Sequence, residues 1–246
     1  MPDHVSIESL YQTDSLREKE TIEQIEVGNN IEGQITGLWY CNQTFFLHHL
    51  KYEKYDDLKL DAYRCARLDE FLVTHFDSRI LDYGINHITY ALLSDDKELI
   101  KRYANLGHKV YMWMVERGHS TPMYCIQQIM KSDWEQVKWS LEIMKTKNVK
   151  MAKAIQPDLR FFEGILEKDE NKMRDAVIQL LKNHKKRNGQ MGIAQDYISV
   201  PALTYAKLAW LQGIEIEIDH PLVPKELLPI RPLDNYDDKY DFLKAN

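Results

Sequence analysis

Apolar side chains recur along most of this chain with a helical period. Between Ile35 and Leu50, the residues Leu38, Trp39, Phe45, Phe46 and Leu50 follow the spacing of one buried helical stripe. Leu60, Tyr63, Ala66, Leu68, Phe71 and Leu72 do the same between Leu60 and Phe76. Thr121-Pro122, Gln156-Pro157 and Ser199-Val200-Pro201 each place a proline where a first helical turn tolerates it, twice beside a hydroxyl able to cap. A helix is expected from about Val200 to Gln212, with Gly213 placed to end it in the left-handed conformation. The pattern then changes. Ile214-Glu215-Ile216-Glu217-Ile218-Asp219 alternates strictly, as a half-buried strand or extended segment does, and four of the eight prolines follow between Pro221 and Pro232.

A weak repeat lies within the helical part. Leu92-Leu93-Ser94-Asp95-Asp96, Ile129-Met130-Lys131-Ser132-Asp133 and Ile165-Leu166-Glu167-Lys168-Asp169 share an apolar pair, a short polar link and an aspartate. Aligned on Asp96, Asp133 and Asp169, the units are 37 and 36 residues apart, each with an apolar residue four positions on (Ile100, Val137, Met173). Each aspartate is suited to accept the free N–H groups of a following helix, where the helix dipole favours negative charge. The unit is therefore a helix, a tight turn and a second helix, and its period indicates stacked hairpins. The expected fold is all-α: stacked antiparallel helical hairpins in an α-solenoid-like or α-α superhelical arrangement, closed by an extended, proline-rich C-terminal segment. One domain over residues 1–246 is expected, with an acidic N-terminal segment (1–32), a helical core (33–213) and the extended tail (214–246).

Composition narrows the function. Of 246 residues only ten are glycine and eight proline, which argues against β-sandwiches and low-complexity disorder. The net charge of −6 sits in residues 1–32, which hold eight acids and two bases, while the remainder balances. Within that remainder, residues 131–187 carry +5 and residues 213–246 carry −4, so acidic ends flank a basic middle. With a pI near 5.9, the basic stripe of a phosphate-gripping protein is not expected, and no nucleic-acid partner is predicted. No stretch of apolar residues is long enough for a membrane span, and Met1 to Leu10 lacks the features of a secretory leader. Cys41, Cys65 and Cys125 are odd in number and show no CxxC spacing, so reduced thiols in a cytoplasmic protein are expected.

Catalytic signatures are sparse. The chain has no G-x-S-x-G elbow, Walker loop, G-x-G-x-x-G or H-E-x-x-H. His49 and Glu53 stand one helical turn apart, but His48 and His49 project about 100° apart and do not face one metal together. Glu116-Arg117-Gly118-His119 is half of a di-iron motif without its second copy. Nothing couples the cysteines to a histidine. No catalytic residue, metal or cofactor is predicted, and an all-helical metal-dependent hydrolase is the weakest of the readings considered. Lys182, His184, Lys185, Lys186 and Arg187, followed by Gly189, read as a helix C-terminus. Tyr111, Trp113, Trp134 and Trp139 read as core rather than as a recognition groove. The acidic ends read as solvated faces, but tyrosines interleaved with the last acids mark Asp234, Tyr236, Asp237, Asp238, Tyr240 and Asp241 as a candidate partner-binding surface.

From Tyr197 the residues run Tyr197-Ile198-Ser199-Val200-Pro201-Ala202-Leu203, then Ala206-Lys207-Leu208-Ala209, Gly213, and Pro221-Leu222-Val223-Pro224-Lys225-Glu226-Leu227-Leu228-Pro229. This resembles the C-terminal signature of the immunity protein 49 family of bacterial polymorphic toxin systems: an alanine-rich helix, a glycine, a short extended segment and a proline-plus-leucine close. The aspartate-punctuated hairpins from Ala91 to Leu106 and Ile129 to Leu181, and His184 after the last of them, resemble the family's middle region. The likeness spans roughly residues 80–230, and the nearest rival is the helical family immune to PoNe-type DNA-cleaving toxins. The resemblance implies a cytoplasmic antidote that binds a cognate toxin and blocks it, sterically or allosterically. The alternative from the residues alone is an α-solenoid scaffold or regulatory module that binds a peptide.

Overall fold

A computed structural model describes residues 6–148, 152–188 and 192–244. Thirteen α-helices lie among them: α1 (Ile7–Glu26), α2 (Ile31–Lys51), α3 (Tyr55–Phe76), α4 (Ile85–Leu93), α5 (Lys97–Tyr103), α6 (Tyr111–Glu116), α7 (Thr121–Met130), α8 (Trp134–Lys147), α9 (Ala152–Glu167), α10 (Glu170–Lys182), α11 (His184–Asn188), α12 (Val200–Leu211) and α13 (Asp241–Lys244). No strand occurs among the described residues, so the fold is all-α as the periodicity requires.

The repeated aspartates cap helices. Asp96 accepts from Leu99 N at 2.6 Å, Asp133 from Gln136 N at 3.2 Å and Asp169 from Lys172 N at 3.0 Å. Ile100, Val137 and Met173 are buried as their spacing demands. The residue before each aspartate, namely Asp95, Ser132 or Lys168, has a φ between 55° and 61°. A left-handed residue followed at once by an N-cap reverses the chain in two positions. The hairpins α4–α5, α7–α8 and α9–α10 all turn this way. In the last, a Cβ on Gly164 would stand 2.8 Å from Met173 Cγ and 3.2 Å from Met173 N, so glycine admits the close approach of α10.

Helices α1 to α4 pack in sequence, as do α7 to α10. Helix α12 joins the two runs by packing on α4, α7 and α10. All of its residues from Ala202 to Ala209 are buried, so it has no solvent stripe. Thr204 meets Thr89 of α4 (Oγ–Oγ 2.5 Å), and Tyr205 stacks on Phe161 at 4.5 Å while donating to Asp158. The hairpins therefore close around a central helix, which a strictly one-dimensional stack would lack.

Three local expectations change. Pro157 lies at the sixth position of α9, beyond the first turn, because the buried face of Ile155, Leu159, Phe161 and Phe162 runs across it. Thr121 and Ser199 flank prolines at helix starts, yet neither caps: Thr121 Oγ1 donates to the carbonyls of Val115 and His119, and the Ser199 side chain makes no capping bond. The acidic N-terminal segment is largely helix α1, packed on α2, and its Asp14 and Glu18 are buried rather than solvated.

The alternating segment after Gly213 (φ 75°) is extended without pairing into a sheet, burying Ile216 and Ile218 and exposing Glu215, Glu217 and Asp219. The chain beyond crosses the helices without regular structure, apart from a short 3-10 turn at Lys225–Leu227, and ends in α13.

Candidate partner-binding surface

The tail is fastened before it is displayed. Lys207 of α12 places Nζ 2.5 Å from Asp95 Oδ1 and donates to the carbonyls of Leu227 and Pro229 at 2.9 and 3.0 Å. Lys59 of α3 reaches the other oxygen of Asp95 at 2.9 Å and also donates to Arg231 O, while Arg231 N donates to Asp95 at 3.1 Å. Asp95 and Lys207 are almost wholly buried. Burial pushes the Lys207 ammonium down to about 8, against the opposing pull of Asp95. One carboxylate thus joins α3, α12 and the tail.

The six tail residues singled out by sequence then divide. Tyr236 donates to Ser94 O at 2.6 Å and accepts from Leu233 N at 3.0 Å. Asp238 receives Arg67 of α3 through two bonds, at 2.8 and 2.9 Å. Tyr240 is buried and donates to Glu18 of α1 at 2.6 Å while Asn42 of α2 donates to it, and Lys239 joins the same carboxylate at 2.6 Å. These three side chains hold the tail down, so they are not the free surface expected. The interleaved tyrosines face the helices because an extended chain alternates its sides. Asp234, Asp237 and Asp241 remain exposed.

Other candidates also separate. His48 stacks on Tyr11 at 3.9 Å, whereas His49 Nδ1 lies 2.6 Å from Asp61 Oδ2, and Glu53 is exposed in a left-handed turn. Glu116 and His119 are both exposed, with α6 ending between them and Gly118 at φ 85°. Among the described residues, no three His, Cys, Asp or Glu side chains are grouped to hold a metal ion. A buried Asp69–His87–Tyr103 set, with contacts of 2.9 Å on both carboxylate oxygens, lies against Trp39 with no cysteine or serine bonded to it. The three thiols are free and buried, and burial lifts Cys41 to about 12 and the other two well above the ordinary range. In the basic run, His184 is buried with Nε2 2.7 Å from Gln195 O, and Lys182, Lys185 and Lys186 are exposed. Gly189 falls outside the described residues.

The aromatic candidates were not all core. Tyr111 is buried and donates to Gln127 at 2.9 Å, and Trp139 is half-buried on Tyr124. Trp113 and Trp134, in contrast, are 52% and 38% exposed. Periodicity did not reveal this: α6 is too short for a stripe to distinguish the two sides around Trp113, and Trp134 stands at the first position of α8, where the stripe begins.

Fold and surface together define an all-helical protein with a pinned tail and outward-facing acids and aromatics. The sequence model of the family described as Immunity protein 49 matches residues 77–227, well over half of the chain, and the chain belongs to that family. The match includes all three aspartate-capped hairpins and α12, and stops before Asp234. Searches among curated proteins and solved structures find no match. Among the described residues, no helix is long and apolar enough to cross a membrane.

Proposed function

We propose that this chain is an immunity protein that binds a cognate bacterial toxin or effector domain and neutralises it by protein–protein contact. Family membership over residues 77–227 is the observation that carries this reading. The fold suits it: a closed helical body whose tail is held at four separate points offers a surface that needs little ordering on binding. The buried, free thiols suit a reducing cytoplasm. Neutralisation by occlusion requires no chemistry of the antidote, and no catalytic residue or cofactor is assigned. Of the six tail residues singled out by sequence, Asp234, Asp237 and Asp241 are the ones exposed to a partner, where they would steer a cationic surface of the toxin.

The test is co-expression with the proteins encoded by the open reading frames neighbouring this chain's gene, each scored first for toxicity alone. Rescue of growth and co-purification in a defined stoichiometry are expected. Toxicity undiminished by the chain would overturn the proposal. Co-purification without rescue would favour the helical-scaffold alternative.

A further inference from the structure

The acids of residues 1–32 divide by partner. Asp3 lies outside the described residues. Glu8 pairs with Lys51, Asp14 with Arg17 at 3.0 Å and Glu18 with Lys239 at 2.6 Å. Glu20, Glu23, Glu26 and Glu32 are exposed, and none of them forms an ion pair among the described residues. On α1 the one unpaired base beside them is Lys19, since Arg17 is held by Asp14.

This imbalance lies along one side of a helix. Leu16, Glu20, Glu23 and Val27 are spaced four, three and four positions apart, which sets them in a single stripe on α1 bordered by Glu26. Leu16 and Val27, at its two ends about 16 Å apart, are 63% and 75% exposed. The opposite side carries Ile7 and Thr21, with Ile22 and Ile25 half-buried, and packs chiefly on α2. The stripe is thus an unpartnered helix face. Folding does not account for it. Glu23 and Glu26 occupy the last turn of α1 with no base there, so carboxylates stand at the negative end of the helix dipole. Glu20, Glu23 and Glu26 also follow one another at three-residue intervals, where like charges on neighbouring turns repel. Both effects weaken α1 in the free chain and are relieved by a cation set against it.

The charges also narrow the occupant. Unpaired carboxylates repel nucleic-acid phosphates and anionic lipid. They are strung along the helix, and among the described residues no three His, Cys, Asp or Glu side chains are grouped to hold a metal ion. A second copy docked through a twofold axis would oppose acid to acid. A protein surface rich in lysine or arginine, with apolar contacts for Leu16 and Val27, meets all of these conditions. The family-matched segment begins at residue 77, so α1 lies in a part of the chain that the shared model does not cover, where discrimination between partners belongs. The tail ends against the same helix through Lys239 and Tyr240 on Glu18. Resting on the immunity reading, we infer that the outward face of α1 is the docking surface for a cationic face of the toxin.

The test measures affinity by calorimetry at two salt concentrations and melting temperature in parallel. Its probe is the purified product of whichever neighbouring open reading frame proves toxic when expressed alone. The proteins compared are wild type, Glu20→Gln/Glu23→Gln/Glu26→Gln, Leu16→Ala/Val27→Ala, and a control that removes three exposed acids of α5 and α8, Glu98→Gln/Glu135→Gln/Glu142→Gln. The α1 triple variant is expected to bind about 10-fold more weakly or worse, with a flatter salt dependence. It should nevertheless melt at or above the wild-type temperature, because the dipole conflict and the repulsion are gone. Leu16→Ala/Val27→Ala should weaken binding about 5-fold with unchanged melting, as expected of exposed side chains. The control should keep wild-type affinity and melt no higher, since Glu98 and Glu135 sit in first turns that favour acids. Unchanged affinity in the α1 triple variant overturns the assignment of α1 alone. Weaker binding accompanied by a clearly lowered melting temperature in that variant also overturns it, because the acids would then be serving the fold. Neighbouring products that are all harmless, or a toxic one that the wild-type chain does not bind, overturn the immunity reading and this inference with it.

Discussion

Asp95 takes a left-handed conformation, ends α4 and balances two lysines in a place almost closed to water. Asparagine tolerates the same backbone, so Asp95→Asn removes charge with little change in geometry. It leaves Lys59 and Lys207 facing one another without their counter-ion, and urea denaturation should show a loss of about 3–5 kcal/mol. Lys207 also sets a pH dependence. Its folded value of about 8 lies below the ordinary 10.5, so between these limits the unfolded chain binds more protons than the folded one. Stability through this group therefore rises with pH across that window. Denaturation at about pH 7.5 and 9.5 should show wild type gaining on Lys207→Met as pH rises. Sequence showed Asp95 only as the neighbour of a cap. Nothing in spacing reveals that a residue at a turn will meet lysines 36 positions before it and 112 after it.

At the scale of elements, the three capped turns were readable because capping is local: an aspartate and an N–H three residues on suffice. Asp133→Ala and Asp169→Ala should each cost about 1 kcal/mol in thermal or urea unfolding. Gly164→Leu should cost more, about 1–3 kcal/mol or above, since it drives a side chain into Met173 and its backbone. The contacts of Asp82, which lies 3.1 Å from His108 Nε2 and accepts from Ser120 Oγ at 3.1 Å, were not readable, because they join segments 26 and 38 residues apart. Its carboxyl is held below the ordinary 3.8, so the stabilisation is present above that value and lost as pH falls through the folded one. Hydrogen exchange over residues 104–120 should quicken, before the rest of the fold opens, only once the pH falls below about 3.8, and Asp82→Asn should reproduce the effect near neutral pH.

For the whole molecule, the two acidic ends that look separate along the chain meet in space, where Glu18 of α1 receives Lys239 and Tyr240 of the tail. Their roles diverge there. Lysine at Asp234, Asp237 and Asp241 together should slow association with the toxin several-fold and leave folding within about 0.5 kcal/mol of wild type, read by stopped flow and urea titration. Asp238→Lys should instead destabilise the fold, since it sets a cation against Arg67. Helical class, hairpin turns, the end of α12 at Gly213 and the alternation at Ile214–Asp219 were settled by the sequence alone, because period, caps and left-handed stops act over a few residues. Tertiary structure alone decided that Tyr236, Asp238 and Tyr240 fasten the tail, that α12 closes the stack, and that Trp113 faces water. Each of these depends on which distant surface lies opposite a side chain, and one-dimensional spacing carries no record of that.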